Sequence, residues 1–191
     1  MCIRDSLRNA VAEHQSRFYG LSYDPDTEVL ITAGATEAIA GAVLGLCDHG
    51  DEVITFEPTY DSYSATIKLA GAVEAPVLLS PPDWSFDRAA FEAALTSQTR
   101  AILLNSPHNP TGKVFTNEEL AWISERAIEH DLVVISDDVY QHMVSTGVIS
   151  RSQPSRVCAN ARSALGRPER AFHSPVGRSV GSPLRKNCVT P

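Results

Sequence analysis

Five short apolar runs constrain this chain more than any other feature: "EVLITA" (28–33), "DEVITF" (51–56), "VEAPVLL" (73–79), "RAILLN" (100–105) and "DLVVIS" (131–136). Each is rich in Val, Ile and Leu and almost continuously apolar, so strands built from them are covered on both faces. Helix-like segments lie between most of them: "TEAIAGAVLGLC", "DSYSATIKLAG", "FDRAAFEAAL" and "NEELAWISERAIEH". The last has a start signal, because Thr116 followed three residues later by Glu119 forms a capping box. Strands alternating with helices predict an α/β fold, three layers α/β/α around a mostly parallel sheet. No internal repeat and no linker interrupts the pattern before residue 144.

Such sheets bind ligands beyond the carboxyl ends of their strands, so the residues after each run are the candidates. "TAGATEAI" (32–39) follows the first run. Gly34 permits a tight turn, and Ala35 and Thr36 open a helix whose free N–H groups suit a phosphate, although Gly before a helix is common. "FEPTYDSY" places Tyr60 behind a proline, where a planar ligand could stack or where the ring simply packs. In "NSPHNPTGK" (105–113) two prolines frame Asn109, either as a ligand amide or as part of an Asx turn. "SDDVYQH" sets Asp137 and Tyr140 three residues apart, able to face one ligand if the chain turns there.

In this order and spacing, "AGATEAI", "PTYDSY", "NSPHNPTG" and "VVISDDVY" resemble the class I/II aminotransferases, which are fold type I pyridoxal-phosphate enzymes. The resemblance covers about residues 7 to 144, and "FYGLSYDPDTEVLITAGATEAI" is most similar to the kynurenine/methionine-type branch. Asp138 stands where the family usually has Glu. The resemblance implies that Gly34, Ala35 and Thr36 hold the phosphate of pyridoxal 5′-phosphate and that Tyr60 stacks on its ring. It further implies that Asn109 and Tyr140 bond the ring's 3′-oxygen and that Asp137 pairs with the ring nitrogen. A carboxylate there keeps the nitrogen protonated, which makes the ring an electron sink. The implied substrates are an amino acid and a 2-oxo acid, with a carbon–sulfur lyase or synthase of the same fold as the alternative. Relatives of this kind are commonly homodimers; whether this shortened chain dimerises is left open.

Family chemistry also needs a Schiff-base lysine some dozens of residues after the Asp-x-x-Tyr segment. The chain has only Lys68, Lys113 and Lys186, and none stands in the family's lysine motif. Beyond Val144 the composition changes abruptly. Residues 1–144 carry 8 basic and 22 acidic side chains, whereas residues 145–191 carry 8 basic ones and a single acid, Glu169. The arginines of this tail are scattered among Ser and Pro without helical register or aromatics, which argues for disorder rather than nucleic-acid binding. A slip of the reading frame accounts for the tail. Codons straddling Gly166–Arg170 permit Ser-Ala-Gly-Lys, and those straddling Pro175–Ser182 permit Gly-Trp-Lys-Val-Gly-Trp-Val. One base lost near Val144 explains the tail, and putting it back restores the family's order throughout.

The opening hexapeptide "MCIRDS" resembles a translated sequencing adapter, which gives the expected divisions: 1–6 adapter-derived, 7–144 partial cofactor-binding domain, 145–191 out of frame. The N-terminus has no secretory signal, no apolar run approaches the roughly 18–20 residues of a membrane span, and the cysteines lack zinc-like spacing. A cytoplasmic protein with no bound metal, membrane or nucleic acid is expected. Truncation of the sheet predicts exposed strand edges and poor folding. No catalytic residue can be assigned, so the chain is expected to be an incomplete and inactive aminotransferase fragment, with a non-catalytic pseudoenzyme as the alternative. Sequencing the coding DNA tests the slip: read one base out of step after Val144, it should encode the lysine motif, and any other sequence there rules the slip out.

Overall fold

Within each apolar run successive side chains point to opposite faces, and this alternation sorts the core into two halves. The computed structural model describes residues 3–143, 170–175, 179–180 and 182–183, with side chains from Asp5 to Met143. Four of the five runs become parallel strands of one sheet: β2 (Glu52–Glu57), β3 (Val73–Ser80), β5 (Thr99–Asn105) and β6 (Val133–Asp138). The short β4 (Ser85–Phe86) caps β3 antiparallel, while β7 (Arg170–Pro175) lies parallel to β6 and β9 (Ser182–Pro183) antiparallel to β7. The order is β4-β3-β2-β5-β6-β7-β9. The chain therefore runs outward from β2 to β3, then crosses back to β5 on the other side of β2. That reversal opens a crevice at the carboxyl ends of β2 and β5.

Helices α2 (Ala35–Leu46) and α3 (Asp61–Leu69) cover one face, and α4 (Arg88–Ala94) and α5 (Asn117–Glu129) the other. On the α2/α3 side, Ile39, Val43, Tyr63 and Ile67 meet Val53, Leu103, Val133 and Ile135. On the opposite side, Phe91, Leu120 and Ile123 meet Ile54, Phe56, Ile102, Leu104 and Val134. Neighbours in sequence such as Val53 and Ile54 thus belong to different cores, which is the three-layer arrangement the runs predicted. The Thr116 capping box forms, with the Thr116 hydroxyl accepting from the Glu119 N–H and the Glu119 carboxylate from the Thr116 N–H.

Two expectations need correction, and one element was not foreseen. The run at 28–33 contributes only β1 (Leu30–Ile31), which leaves the main sheet and pairs antiparallel with β8 (Ser179–Val180). Its first residue closes a turn, since the Glu28 N–H bonds the Asp24 carbonyl at 2.8 Å and the Glu28 carboxylate takes the Asp24 N–H at 2.5 Å. The N-terminal segment, assigned no element above, forms α1 (Ile3–Tyr19), which begins inside the opening hexapeptide. Arg8 pairs with Asp5 within the helix and ties the helix to Asp26, each at 3.0 Å. Finally, the structureless tail does not hold at 170–175, 179–180 and 182–183, where β7, β8 and β9 add strands, β7 covering the outer edge of β6. The rest of that tail lies outside the described residues.

Phe91 is fully buried, with ring centroids of Phe56, Phe86 and Trp122 at 6.1, 5.9 and 5.1 Å. Phe91→Ala should cost about 3–5 kcal/mol through the cavity it leaves. Thr116→Ala should cost about 1 kcal/mol through the lost cap. Urea unfolding of the two variants should show this order of midpoints, with Phe91→Ala the lower.

Candidate active site

The carboxyl ends of β5 and β6 meet the starts of α2 and α3 at a cleft of about 170 Å³. Ala35, Thr36, Tyr60, Asn109, Asp137 and Tyr140 all line it, so six of the seven candidate residues converge on one place. Gly34 does not line it. Gly34 is instead the N-cap of α2 at φ 100°, a conformation that favours glycine, and it lets the chain enter the helix abruptly. The Thr32 hydroxyl donates to the Gly34 carbonyl at 2.9 Å, and the Glu37 carboxylate accepts the Ala33 N–H. The N–H groups of the first helical turn, Ala35 and Thr36 among them, have no acceptor within the helix and carry its positive dipole end.

Asp137 is the last residue but one of β6 and is buried, 6% exposed. Its Oδ1 accepts the Val139 N–H at 3.2 Å, and its Oδ2 accepts the Tyr63 hydroxyl at 2.6 Å. Burial pushes the Asp137 carboxyl above its usual range, while the Tyr63 and Val139 hydrogen bonds pull it back. The Tyr63 hydroxyl is driven far above its ordinary value, first by burial and then by the Asp137 charge. After Asp137 the chain turns, with the Gln141 N–H bonding the Asp138 carbonyl at 2.9 Å, and Tyr140 reaches the same cleft.

Asn109 is placed by a second asparagine. Asn105, at the end of β5, accepts the Asn109 N–H on Oδ1 at 2.7 Å and donates Nδ2 to the Asp137 carbonyl at 2.9 Å. One buried amide thereby locks the loop of β5 to the end of β6. His108 adds a latch to β2, with Nε2 3.3 Å from the Phe56 carbonyl and Nδ1 2.8 Å from the Thr111 hydroxyl. A carbonyl only accepts, so Nε2 carries the hydrogen and Nδ1 accepts from Thr111. Tyr60, 41% exposed, forms the open aromatic wall, its ring edge-on to Tyr63 at 5.7 Å.

Sequence reasoning missed Tyr63, Asn105, Ile39 and Val139 in the lining. Tyr63 was detectable as the residue one helical turn after Tyr60, and Asn105 as the polar end of an apolar strand. Lys113 is held by Glu119 at 2.8 Å with its side chain 6% exposed, and Lys68 lies near the end of α3. Among the described residues no lysine lines the cleft. Nor, among them, do three or more His, Cys, Asp or Glu gather as a metal site, and no helix is long and apolar enough to cross a membrane.

A parallel sheet covered by helices on both faces, with a helix N-terminus, an aromatic wall and a buried acid at its carboxyl edge, defines an α/β domain whose cleft suits a small ligand. The chain belongs to the aminotransferases of class I and II, whose family model matches residues 2–164. Members of this family depend on pyridoxal phosphate, which is therefore the cofactor to expect here. The chain is 53% identical over 140 residues to the "Probable N-succinyldiaminopimelate aminotransferase DapC" of Mycobacterium tuberculosis, covering 72% of this chain and 35% of that protein. It is 41% identical over 138 residues to the methionine aminotransferase of Escherichia coli, covering 72% and 36%. The solved N-succinyldiaminopimelate aminotransferase of M. tuberculosis superposes with a TM-score of 0.81 at 42% identity, over 94% of this chain and 48% of that one. The chain spans about a third of the length of the curated relatives it matches.

Burial lowers the His108 pKa below 6.5, with the nearby Lys113 charge adding to the effect against the hydrogen bond to Phe56. The unfolded chain then binds the proton more readily than the folded one, so His108 stabilises the fold above about pH 6.5 and loses that contribution as the pH falls. His108→Gln keeps a donor and an acceptor but does not titrate. Compared between pH 7.5 and 5, its urea midpoint should fall less than that of the parent chain.

Proposed function

We propose that residues 7–144 are the cofactor-binding part of a pyridoxal-phosphate-dependent aminotransferase acting between an amino acid and a 2-oxo acid. The convergence of Ala35, Thr36, Tyr60, Asn109, Asp137 and Tyr140 on one cleft carries this reading. Each end of the cleft suits a different part of the cofactor. The free N–H groups of Ala35 and Thr36 and the Thr36 hydroxyl suit a phosphate dianion. The exposed ring of Tyr60 suits the face of a pyridine. Asn109 and Tyr140 offer an amide and a phenol to the ring's 3′-oxygen. Asp137, a buried acid, offers a counter-charge to a protonated ring nitrogen. When bound, pyridoxal phosphate supplies an acceptor for the electron pair released as the amino acid loses its α-proton.

No described lysine is placed to carry the cofactor covalently or to shuttle that proton. Residues 145–191 are best explained as an out-of-frame translation of the segment that would encode it, and 1–6 as adapter-derived. On this reading the chain binds the cofactor reversibly and does not transaminate; the homodimer usual in the family, if it forms, cannot restore the lysine. Cys47, buried and unpaired, fits a cytoplasmic setting.

Pyridoxamine 5′-phosphate, which needs no lysine, tests the site in the full chain. Binding should quench or shift the ligand's fluorescence, and Asp137→Ala should weaken it about tenfold or more, as expected for a lost charge-assisted hydrogen bond. Absence of binding by the parent chain refutes the site. Borohydride added to the chain with pyridoxal phosphate should fix no stoichiometric label on a single lysine; such a label would refute the reversible mode.

A further inference from the structure

The acid of the cleft is not held by its own strand alone. Asp137 and Tyr63 are 6% and 3% exposed, 74 residues apart in sequence, and joined by a 2.6 Å hydrogen bond in which the tyrosine donates. Tyr63 sits in the first turn of α3, its N–H bonded to the Tyr60 carbonyl at 3.0 Å. One helical turn therefore presents two tyrosines with separate tasks: Tyr60 faces the opening, and Tyr63 faces the acid. The rest of the Tyr63 ring packs in the core with Ile39, Val133 and Ile135, which leaves its hydroxyl little freedom.

We propose that Tyr63 is a positioning residue that keeps Asp137 ionised and fixed in direction, so that the cleft selects a phosphorylated heteroaromatic ring whose nitrogen is protonated. This rests on the cofactor site proposed above. The physical need is specific. A carboxyl this deeply buried favours its neutral form, which would give the ring nitrogen no counter-charge. A short donor bond to one oxygen favours the carboxylate. The donor must itself stay protonated, and the position of Tyr63 beside Asp137 in the core ensures that it does. With Oδ2 engaged by Tyr63 and Oδ1 by the Val139 N–H, rotation of the carboxylate breaks a bond on either side.

The test compares two probes on the full chain: pyridoxamine 5′-phosphate, and its 1-deaza analogue, in which C–H replaces the ring nitrogen. The parent chain should prefer the first. Tyr63→Phe keeps the ring and removes the donor. It should lose about tenfold in affinity for pyridoxamine 5′-phosphate, the scale of a hydrogen bond to a charged group, and almost none for the deaza analogue. The ¹⁵N resonance of the bound ring nitrogen should move toward the unprotonated position. Equal losses for both probes, or an unchanged ¹⁵N shift, would overturn the proposal and leave Tyr63 a packing residue. Failure of the parent chain to bind either probe would instead overturn the cofactor site, and this inference with it. The parent chain alone supplies a further measurement that does not depend on the folding of a variant. The low-field proton of the Tyr63–Asp137 bond should shift when pyridoxamine 5′-phosphate binds and hold still with the deaza analogue; no response to either bound probe would also overturn the proposal.

Discussion

A parallel sheet cannot leave a face in water, and nearly everything in this structure follows from that constraint. Parallel strands need crossover connections, and the crossovers become the helices that cover both faces. Because β2, β3, β5 and β6 all point the same way, every loop that leaves a strand's carboxyl end emerges on the same side. The reversal of strand order between β2 and β5 then parts two of these loops. Tyr60, Asn109 and Asp137 come together there, although they lie after β2, after β5 and at the end of β6, because the sheet delivers their backbones to a common edge.

Within that edge the polar groups are tied to one another before any ligand enters. Asn105 joins the loop after β5 to the end of β6, His108 joins it to β2, and Tyr63 joins α3 to Asp137. Each of these bonds is buried or nearly so, where an unmade hydrogen bond is costly. The cleft is thus held by a set of contacts that are structural in kind but act on the groups a ligand would meet. Its two chemical ends differ in origin: the end suited to an anion is backbone at the start of a helix, and the end suited to a cation is a side chain made tolerable in the core by its donors.

The strongest signals in the sequence were local ones. Four apolar runs became strands close to their expected limits, and the Thr116–Glu119 pattern became a capping box, because strand burial and helix capping depend on residues close together in the chain. Six candidate site residues were legible from the rule that ligands gather past strand ends. Gly34 was correctly placed at the turn but serves the backbone, not the cleft lining. The run at 28–33 misled because Glu28, at its start, is drawn into a turn with Asp24 through both its amide and its carboxylate, a competition that apolar content does not reveal. Helix α1 was not anticipated because few of its residues are buried and the apolar signal is correspondingly thin. The strands at 170–175, 179–180 and 182–183 had no periodic signature at all.

By itself, the sequence determined the three-layer class, the family, the order of the strands along the chain and the absence of any lysine in the family's lysine motif. These rest on residue type and spacing, which need no partner at a distance. Only the tertiary structure decided which residues act together. That Tyr63 donates to Asp137, that Asn105 holds Asn109, and that Lys113 is occupied by Glu119 away from the cleft are consequences of strand order and helix placement. The hydroxyl and the carboxylate that meet at 2.6 Å are 74 residues apart, and no local pattern encodes such a pairing. It exists because burial in the core leaves the Tyr63 hydroxyl in need of an acceptor and brings the Asp137 Oδ2 within its reach.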